Sequence, residues 1–213
     1  HVFTNAGATI AQEMAFALAI GAEYLDKLTD TDLSIDAILP KMRFNVAVGQ
    51  NYFMEMAKMR AYRVLWANIA KAYGAKEENA KMLIHAFNAQ INMSLYDSYV
   101  NMLRTTTGSM SAILGGVHSF SVTPFDMVYE PTTEFAERIA RNQQLILKEE
   151  SHFDKVADPA AGSYYIENLT DSLVKAAWAL FLQIQEEGGY LAALRNGTIQ
   201  KMVKESATKR LNN

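Results

Sequence analysis

Short β-prone runs alternate with long helical patterns along nearly the whole chain, and few architectures accommodate that alternation. The first residues of successive runs are 36 to 42 residues apart. The five runs are Val2–Thr4, Phe44–Val48, Leu83–Phe87, Ser119–Val122 and Lys155–Ala157. One helical pattern in each gap is typical of successive parallel βα units joined by right-handed crossovers. The sequence therefore predicts an α/β fold built on a parallel sheet.

The helical patterns begin and end at recognisable signals. They cover residues 9–28, 53–65, 96–114, a segment starting near Thr132 and Thr133, and residues 169–184. Glycine pairs follow the third and the last pattern, as expected where a helix stops. Two shorter helical patterns, at 190–195 and 198–211, break the strand-helix rhythm. We expect residues 190–213 to form a peripheral extension.

Two of the patterns predict which side chains are buried. In the second helix the core positions would be Phe53, Ala57, Ala61, Val64 and Leu65, with Glu55, Lys58, Arg60 and Arg63 largely on the opposite side. In the fourth helix the buried stripe would be Phe135, Ile139 and Ile146. Both assignments rest on apolar residues recurring at helical spacing.

The strands leave two architectures open. Runs such as FNVAV and MLIHAF do not alternate strictly between apolar and polar residues, which favours strands covered on both faces. A doubly wound open sheet and part of a (βα)8 barrel both have such strands. Five strands are too few to close a barrel alone.

Composition excludes several classes of function. Twenty basic and 23 acidic side chains give a net charge of −3, so the chain lacks the basic surface that nucleic-acid binding needs. The absence of cysteine excludes disulfides, iron–sulfur clusters and thiolate zinc, and it agrees with a reducing, cytoplasmic location. Charged residues interrupt every apolar run, so we expect no membrane span.

The chemistry-bearing residues alone do not identify a reaction. Ligands of parallel βα proteins bind where the strands end, which here gives loops at 49–52, 88–92, 123–126 and 158–163. These loops are rich in amides and hydroxyls but contain no nucleophile paired with a base. The four histidines lie apart in sequence and predict no metal site.

Four longer stretches resemble a known family. They read NAGA at 5–8, GQNYFMEMAKMRA at 49–61, RIARNQQLILKEE at 138–150 and DPAAGSY at 158–164. Together they resemble the second half of the substrate-binding TIM barrel of the adenosylcobalamin-dependent methylmalonyl-CoA mutases, and the likeness covers nearly the whole chain. The resemblance implies a partial (β/α)8 barrel, strands four to eight, with residues 1–189 as a half-barrel.

The departures from the family pattern bear on catalysis. Active members carry a histidine that contacts the substrate thioester and an arginine that contacts its carboxylate. The resemblance places Ser121 at the histidine position, Leu83 at the arginine position and Met127 where the family has a glutamate. His118 cannot replace the lost histidine, because a shift of three residues along a strand reverses the face. Only Arg138 is carried over as a substrate-binding residue.

This pattern is similar to the non-catalytic small subunits of heterodimeric family members. It implies a homologous catalytic large subunit as partner, isomerisation of methylmalonyl-CoA and succinyl-CoA, and adenosylcobalamin in the holoenzyme. The family's cobalamin motif, D-x-H-x-x-G, is absent from these residues. A stand-alone acyl-CoA-binding protein and a purely structural scaffold are the alternatives. Two open sheet edges further predict that the 213 residues self-associate, unless the helices after Gly189 cover the gap.

Overall fold

The computed structural model describes residues 1–212 and shows helices alternating with three short strands. The strands are β1 (Phe44–Val48), β2 (Ile84–Asn88) and β3 (Ser119–Ser121). The helices are α1 (Val2–Asn5), α2 (Ile10–Thr29), α3 (Ile35–Ile38), α4 (Tyr52–Ala72), α5 (Asn101–Leu114), α6 (Glu134–Glu149), α7 (Tyr164–Glu186), α8 (Tyr190–Arg195) and α9 (Thr198–Leu211). Short 3₁₀ turns lie at Leu39–Lys41, Gln90–Asn92 and Ser98–Val100. The prediction of an α/β fold is confirmed.

The strands form one parallel sheet in the order β1-β2-β3. Asn45 pairs with His85 and His85 with Ser119, so these three side chains form one row across the sheet. Because all three strands run in the same direction, the loops after Val48, Asn88 and Ser121 lie at the same end of the sheet. The parallel arrangement predicted from the βα rhythm is therefore confirmed for these three strands.

One face of the sheet is buried more completely than the other. Val46, Ile84 and Ala86 point to the covered face and are at most 1% exposed. The row of Asn45, His85 and Ser119 points to the opposite face, where it is exposed or half-buried. The expected cover on both faces holds at Ala47, which is fully buried on the second face, but not at Asn45 and Ser119, which are exposed there.

Two of the five expected strands are not strands. Val2–Thr4 belongs to α1, where the N–H groups of residues 5 to 8 turn back onto carbonyls of residues 1 to 4. Lys155–Ala157 forms turns and bends between Asp154 and Asp158, and Val156 is 60% exposed. A run of three residues makes too few ladder hydrogen bonds to hold a strand without neighbours that fix its register.

The core lies between β1, β2 and three long helices. Helix α7 packs against both α2 and α4, and the interior holds Phe16, Tyr62 and Trp66. Helix starts follow the expected capping chemistry: the Thr9 hydroxyl accepts the Gln12 N–H in a capping box. Thr133 accepts the Ala136 N–H at 3.2 Å, which confirms the predicted start of α6.

The predicted buried stripe of α4 needs correction. Glu55 and Lys58 are buried, whereas Phe53 and Val64 are each almost half exposed. The apolar pattern failed because Glu55 and Lys58 form an ion pair three residues apart, which lets charges occupy the inner face.

The stripe of α6 is rotated relative to the prediction. Phe135 and Ile146 are about half exposed and Ile139 is only partly buried. The buried positions are instead Ala136, Ala140, Gln143 and Leu147. Gln143 faces inward because its amide donates to Ser109 at 2.6 Å and accepts from Thr105 at 3.2 Å.

The last two helices pack on the rest of the molecule. Ala193 and Ile199 are buried, and the Gln12 amide donates to the Met202 carbonyl at 3.2 Å. The expected extension 190–213 includes Asn213, which lies outside the described residues. No helix in residues 1–212 is long and apolar enough to cross a bilayer.

Candidate functional site

A polar cavity of about 400 Å³ lies where β1 ends. Its walls come from the α1–α2 turn, the loop after β1, the start of α4, the loop after β2 and the last turns of α9. The lining residues are Thr4, Gly7, Ala8, Thr9, Ile10, Gly49, Gln50, Asn51, Glu55, Asn92, Ser206 and Arg210. The predicted strand-end loops 49–52 and 88–92 thus meet at this cavity.

Glycines make the close approaches around this cavity possible. A Cβ on Gly49 would lie 2.9 Å from Glu55 Oε1 and 3.0 Å from Asn92 Nδ2. A Cβ on Gly7 would lie 2.6 Å from Cβ of Ala207 in α9. The first glycine lets the floor of the cavity close on a carboxylate, and the second lets α9 approach the α1–α2 turn.

A cluster of three buried charges adjoins the cavity, which one of them, Glu55, lines. The ammonium of Lys58, fully buried in α4, lies 3.0 Å from Glu13 Oε2 and 2.5 Å from Glu55 Oε2. Both carboxylates are less than 5% exposed. We call Glu13, Lys58 and Glu55 the charge triad. It joins α2 to α4 beneath the loop after β1.

The charge triad also occupies the outer edge of β1. Ala47 donates its N–H to Glu13 Oε1 at 2.9 Å, and its carbonyl accepts from Lys58 Nζ at 2.5 Å. Two side chains therefore take the place of a neighbouring strand at this residue. The open edges were expected at Val2–Thr4 and Lys155–Ala157, but because neither forms a strand, β1 is itself an edge strand and this pairing satisfies its backbone at Ala47.

Burial and charge shift the pKa values of the triad. Burial alone would raise the pKa of Glu13, but Lys58 and the Ala47 N–H hold it below its ordinary value. The pKa of Glu55 is raised, mainly because burial disfavours its charged form. Burial would lower the pKa of Lys58, yet the two carboxylates raise it. Of the two carboxyl groups, Glu55, which lines the cavity, is therefore the more readily protonated.

One polar group that lines the cavity, the Thr4 hydroxyl, is buried without a hydrogen-bond partner. Ser119 Oγ and His85 Nδ1, a hydroxyl and a base 2.6 Å apart, lie outside this cavity, on the second face of the sheet. The contacts of His85 there are hydroxyls and aromatic rings, without the carboxylate that orients a catalytic histidine.

The structure does not bring the three family-derived positions together. Leu83 immediately precedes β2, and Ser121 ends β3 beside Phe87, so about 13 Å separates them along the strands at roughly 3.3 Å per residue. The Ser121 hydroxyl lies 3.3 Å from His85 Nε2. Arg138 lies on the exposed side of α6, where its guanidinium carbon is 5.6 Å from the centre of the Phe135 ring.

His118 and Met127 occupy different surroundings. The Nδ1 of His118 accepts the Ile84 N–H at 3.2 Å, so the proton of the neutral ring is on Nε2. Burial, with Arg63 and Arg43, lowers the pKa of His118. Met127 is half exposed, and its sulfur accepts from the Gln90 amide at 3.5 Å.

Within residues 1–212, no three histidine, aspartate or glutamate side chains converge to hold a metal ion. The charge triad is the functional feature that the sequence interpretation missed. Two signals could have found it: the i,i+3 spacing of Glu55 and Lys58, and the position of Glu13 inside an apolar stretch of α2.

Comparison with known proteins identifies the family. The family model described as methylmalonyl-CoA mutase matches residues 1–213. The chain belongs to the methylmalonyl-CoA mutase family. It is 52% identical, over 97% of its length, to the methylmalonyl-CoA mutase small subunit of Porphyromonas gingivalis. It is 40% identical over 96% of its length to the large subunit of the same organism, and 40% identical over 97% to the methylmalonyl-CoA mutase of Rhizobium meliloti.

The chain spans about a third of the length of these relatives. The shares covered are 34% of the small subunit, 29% of the large subunit and 29% of the Rhizobium protein. Two further relatives, from Streptomyces virginiae and Mycobacterium bovis, carry names that include the small subunit and are each 42% identical to the chain. The predicted resemblance to this family, with its small-subunit pattern, is confirmed.

Proposed function

We propose that this chain is part of a small subunit that supports a catalytic large subunit in isomerising methylmalonyl-CoA and succinyl-CoA. The observation that carries the proposal is its 52% identity to a relative named as a small subunit, against 40% to the large subunit of the same organism. The proposed partner is a homologous large subunit. The three strands and their helices would then form part of a (β/α)8 barrel, with residues 1–189 in the barrel and 190–213 outside it.

The proposed role is non-catalytic. Ser121 and Leu83 stand where the family resemblance puts a histidine and an arginine. A serine hydroxyl on a strand and a leucine cannot supply the charge-assisted contacts that those residues make to a thioester and a carboxylate. Arg138 remains a proposed substrate contact. Its exposed position beside Phe135 is also compatible with a surface role.

The described residues do not fit adenosylcobalamin. This cofactor supplies radical chemistry to the enzymes that bind it. The D-x-H-x-x-G motif is absent from these residues, and the polar cavity of about 400 Å³ is too small for a corrin ring with its side chains. We therefore assign the cofactor of the proposed holoenzyme to the large subunit and derive no step through it here.

Reconstitution tests the proposal. The complete small subunit is mixed with its candidate large subunit, and succinyl-CoA rearrangement is assayed with adenosylcobalamin. We expect a complex whose activity exceeds that of the large subunit alone, and no turnover by the small subunit alone. The absence of a complex, or unchanged activity, would count against the proposal.

A polar row on the second face of the sheet favours the alternative function, that of a stand-alone acyl-CoA-binding protein. Asn45, His85 and Ser119 offer amide, imidazole and hydroxyl groups to a polar, extended ligand, as an acyl-CoA-binding protein would need. Calorimetry of the full chain with several acyl-CoA compounds separates the two functions. Tight binding in the absence of the large subunit would favour the stand-alone binder.

Sedimentation across a concentration series tests the remaining partner prediction, that the 213 residues associate with themselves. We expect the dimer fraction to rise with concentration. A monomer throughout the series would contradict it.

A further inference from the structure

Glu55 is the least well compensated member of the buried charge triad. Glu13 accepts hydrogen bonds at both carboxylate oxygens, from the Ala47 N–H at 2.9 Å and from the Lys58 ammonium at 3.0 Å. Glu55 Oε2 lies 2.5 Å from the Lys58 nitrogen but receives no hydrogen bond of good geometry. The side chain of Glu55 is only 4% exposed, so water does not make up the difference.

The triad also holds more negative than positive charge, with two carboxylates and one ammonium. An ammonium has three N–H groups, and those of Lys58 are shared among Glu13, Glu55 and the Ala47 carbonyl. An uncompensated charge in the interior is costly, and a buried group lowers that cost by changing its protonation state. One proton on one carboxylate would make the triad neutral.

Other charges near the triad do not compensate Glu55. The hydroxyl of Tyr62, which follows on the same face of α4, is buried, and burial with the two carboxylates raises its pKa, so it stays neutral. Arg210 of α9 lines the cavity but is exposed, and the other elements contribute only uncharged residues to its lining. The α-ammonium of His1 faces Glu13, at 3.5 Å.

We propose that Glu55 is a pH-sensitive switch, which takes up a proton while Glu13 stays ionised and thereby leaves Lys58 to Glu13 and the Ala47 carbonyl. The order of protonation follows from the contacts above. Burial raises the pKa of Glu55, whereas Lys58 and the Ala47 N–H lower that of Glu13. A backbone contact with Gly49 lowers the pKa of Glu55 but does not outweigh burial. The switch does not rest on the proposed function.

The part of the fold that responds is the loop after β1. Glu55 Oε1 lies so close to this loop that a Cβ on Gly49 would be 2.9 Å from it, and the same Cβ would be 3.0 Å from Asn92 Nδ2. Contacts between two charged groups are roughly twice as strong as those that involve a neutral acid. A neutral Glu55 is therefore held less firmly to Lys58, and residues 49–51, which pack on it, gain freedom.

Infrared difference spectroscopy of the complete small subunit tests the order of protonation. Glu55→Gln has the shape and charge of the protonated state, and Glu186→Gln, at an exposed position of α7, is the matched control. As pH falls from about 8 to about 4, we expect a carboxylic-acid C=O band that appears above pH 4.5, is absent from Glu55→Gln and remains in Glu186→Gln. A Glu55 band that appears only below pH 4.5 would overturn the proposal.

Amide exchange and urea unfolding test the consequence. We expect residues 49–51 of Glu55→Gln to exchange faster than those of the unaltered protein at neutral pH. Because the folded pKa of Glu55 is raised, its contribution to stability is present below 4.5 and is lost as pH rises through the raised value. The urea midpoint of Glu55→Gln should therefore rise relative to that of the unaltered protein as pH increases. Equally slow exchange in both proteins, or failure of Glu55→Gln to fold, would contradict the switch.

Discussion

Replacing Lys58 by methionine tests whether the charge triad organises the site. Methionine keeps most of the length of the side chain but removes the ammonium. The substitution leaves Glu13, Glu55 and the Ala47 carbonyl buried without their shared partner. Removing one member of a buried ion pair typically costs about 3–5 kcal/mol, because the remaining charge stays desolvated. Since two carboxylates lose their counter-ion here, we expect the upper half of that range.

Urea unfolding of the full chain, followed by tryptophan fluorescence, measures the loss. Trp66 reports on the right region because it is 1% exposed in the core. With a slope of about 2 kcal/mol per molar urea, a loss of about 4 kcal/mol moves the midpoint by about 2 M. Lys71→Met is the matched control, since Lys71 lies exposed in the last turn of the same helix. We expect that control to change stability by less than about 0.5 kcal/mol.

The pH dependence gives the prediction a second signature. The lowered pKa of Glu13 means that its stabilisation is present above the ordinary value of 4.5 and is lost as pH falls through the lowered value. The raised pKa of Lys58 means that its stabilisation is present below 10.5 and is lost as pH rises through the raised value. The Lys58→Met penalty should therefore be largest between these limits and shrink in acid, where the two carboxyl groups become neutral.

A double substitution decides between an ion pair and simple loss of packing. Lys58→Met leaves the Glu13 carboxylate without its counter-ion, and adding Glu13→Gln removes that charge. The double substitution should therefore cost less unfolding free energy than the sum of the two single substitutions. Additive losses, or a Lys58→Met penalty below about 1 kcal/mol, would refute the reasoning.

Three further predictions concern other contacts. Gly49→Ala should destabilise the full chain by about 1–3 kcal/mol in urea unfolding, because the new methyl group crowds Glu55. His118→Asn keeps an acceptor for the Ile84 N–H but cannot be protonated. Because the pKa of His118 is lowered in the folded protein, the unaltered protein should lose stability as pH falls below 6.5. This pH dependence of stability should vanish in the variant. Arg60→Ala removes two ion pairs of α4, one to Asp158 in the loop before α7 and one to Glu167 in the first turn of α7. It should speed amide exchange in that loop, with at most about 1 kcal/mol lost globally.

The strand positions show what sequence patterns can and cannot fix in this chain. FNVAV and MLIHAF were found because apolar runs of this length between long helices are typical of buried parallel strands. Val2–Thr4 and Lys155–Ala157 have β-prone residues, yet local turns satisfy their backbone groups more readily than a distant strand does. Propensity over three residues does not reveal which long-range partners are available.

Sequence patterns have the same limit for the side chains of the candidate site. The strand-end loops could be predicted from the βα rhythm, and two of them line the cavity. The burial of Glu13, Lys58 and Glu55 was missed, because a helical pattern assigns charges to the solvent side. The available signals were the i,i+3 spacing of Glu55 and Lys58 and the apolar neighbours of Glu13 in the sequence. The converse error concerns Phe135: helical spacing placed it inside, whereas it is almost half exposed and Gln143, whose amide donates to Ser109, is buried instead.

The location of the charge triad explains how a chain of this family could lose chemistry without losing its fold. The triad is built from α2, β1 and α4, and it holds the loop after β1 in place. The positions that the resemblance connects with catalysis, Leu83 and Ser121, lie beside β2 and β3 instead. Replacing them removes groups that would contact substrate, but it leaves every partner of Lys58 intact. The contacts that stabilise the fold are therefore separate from the residues whose replacement accounts for the proposed loss of catalysis. A subunit that serves through its contacts with a catalytic partner, as proposed, requires this separation.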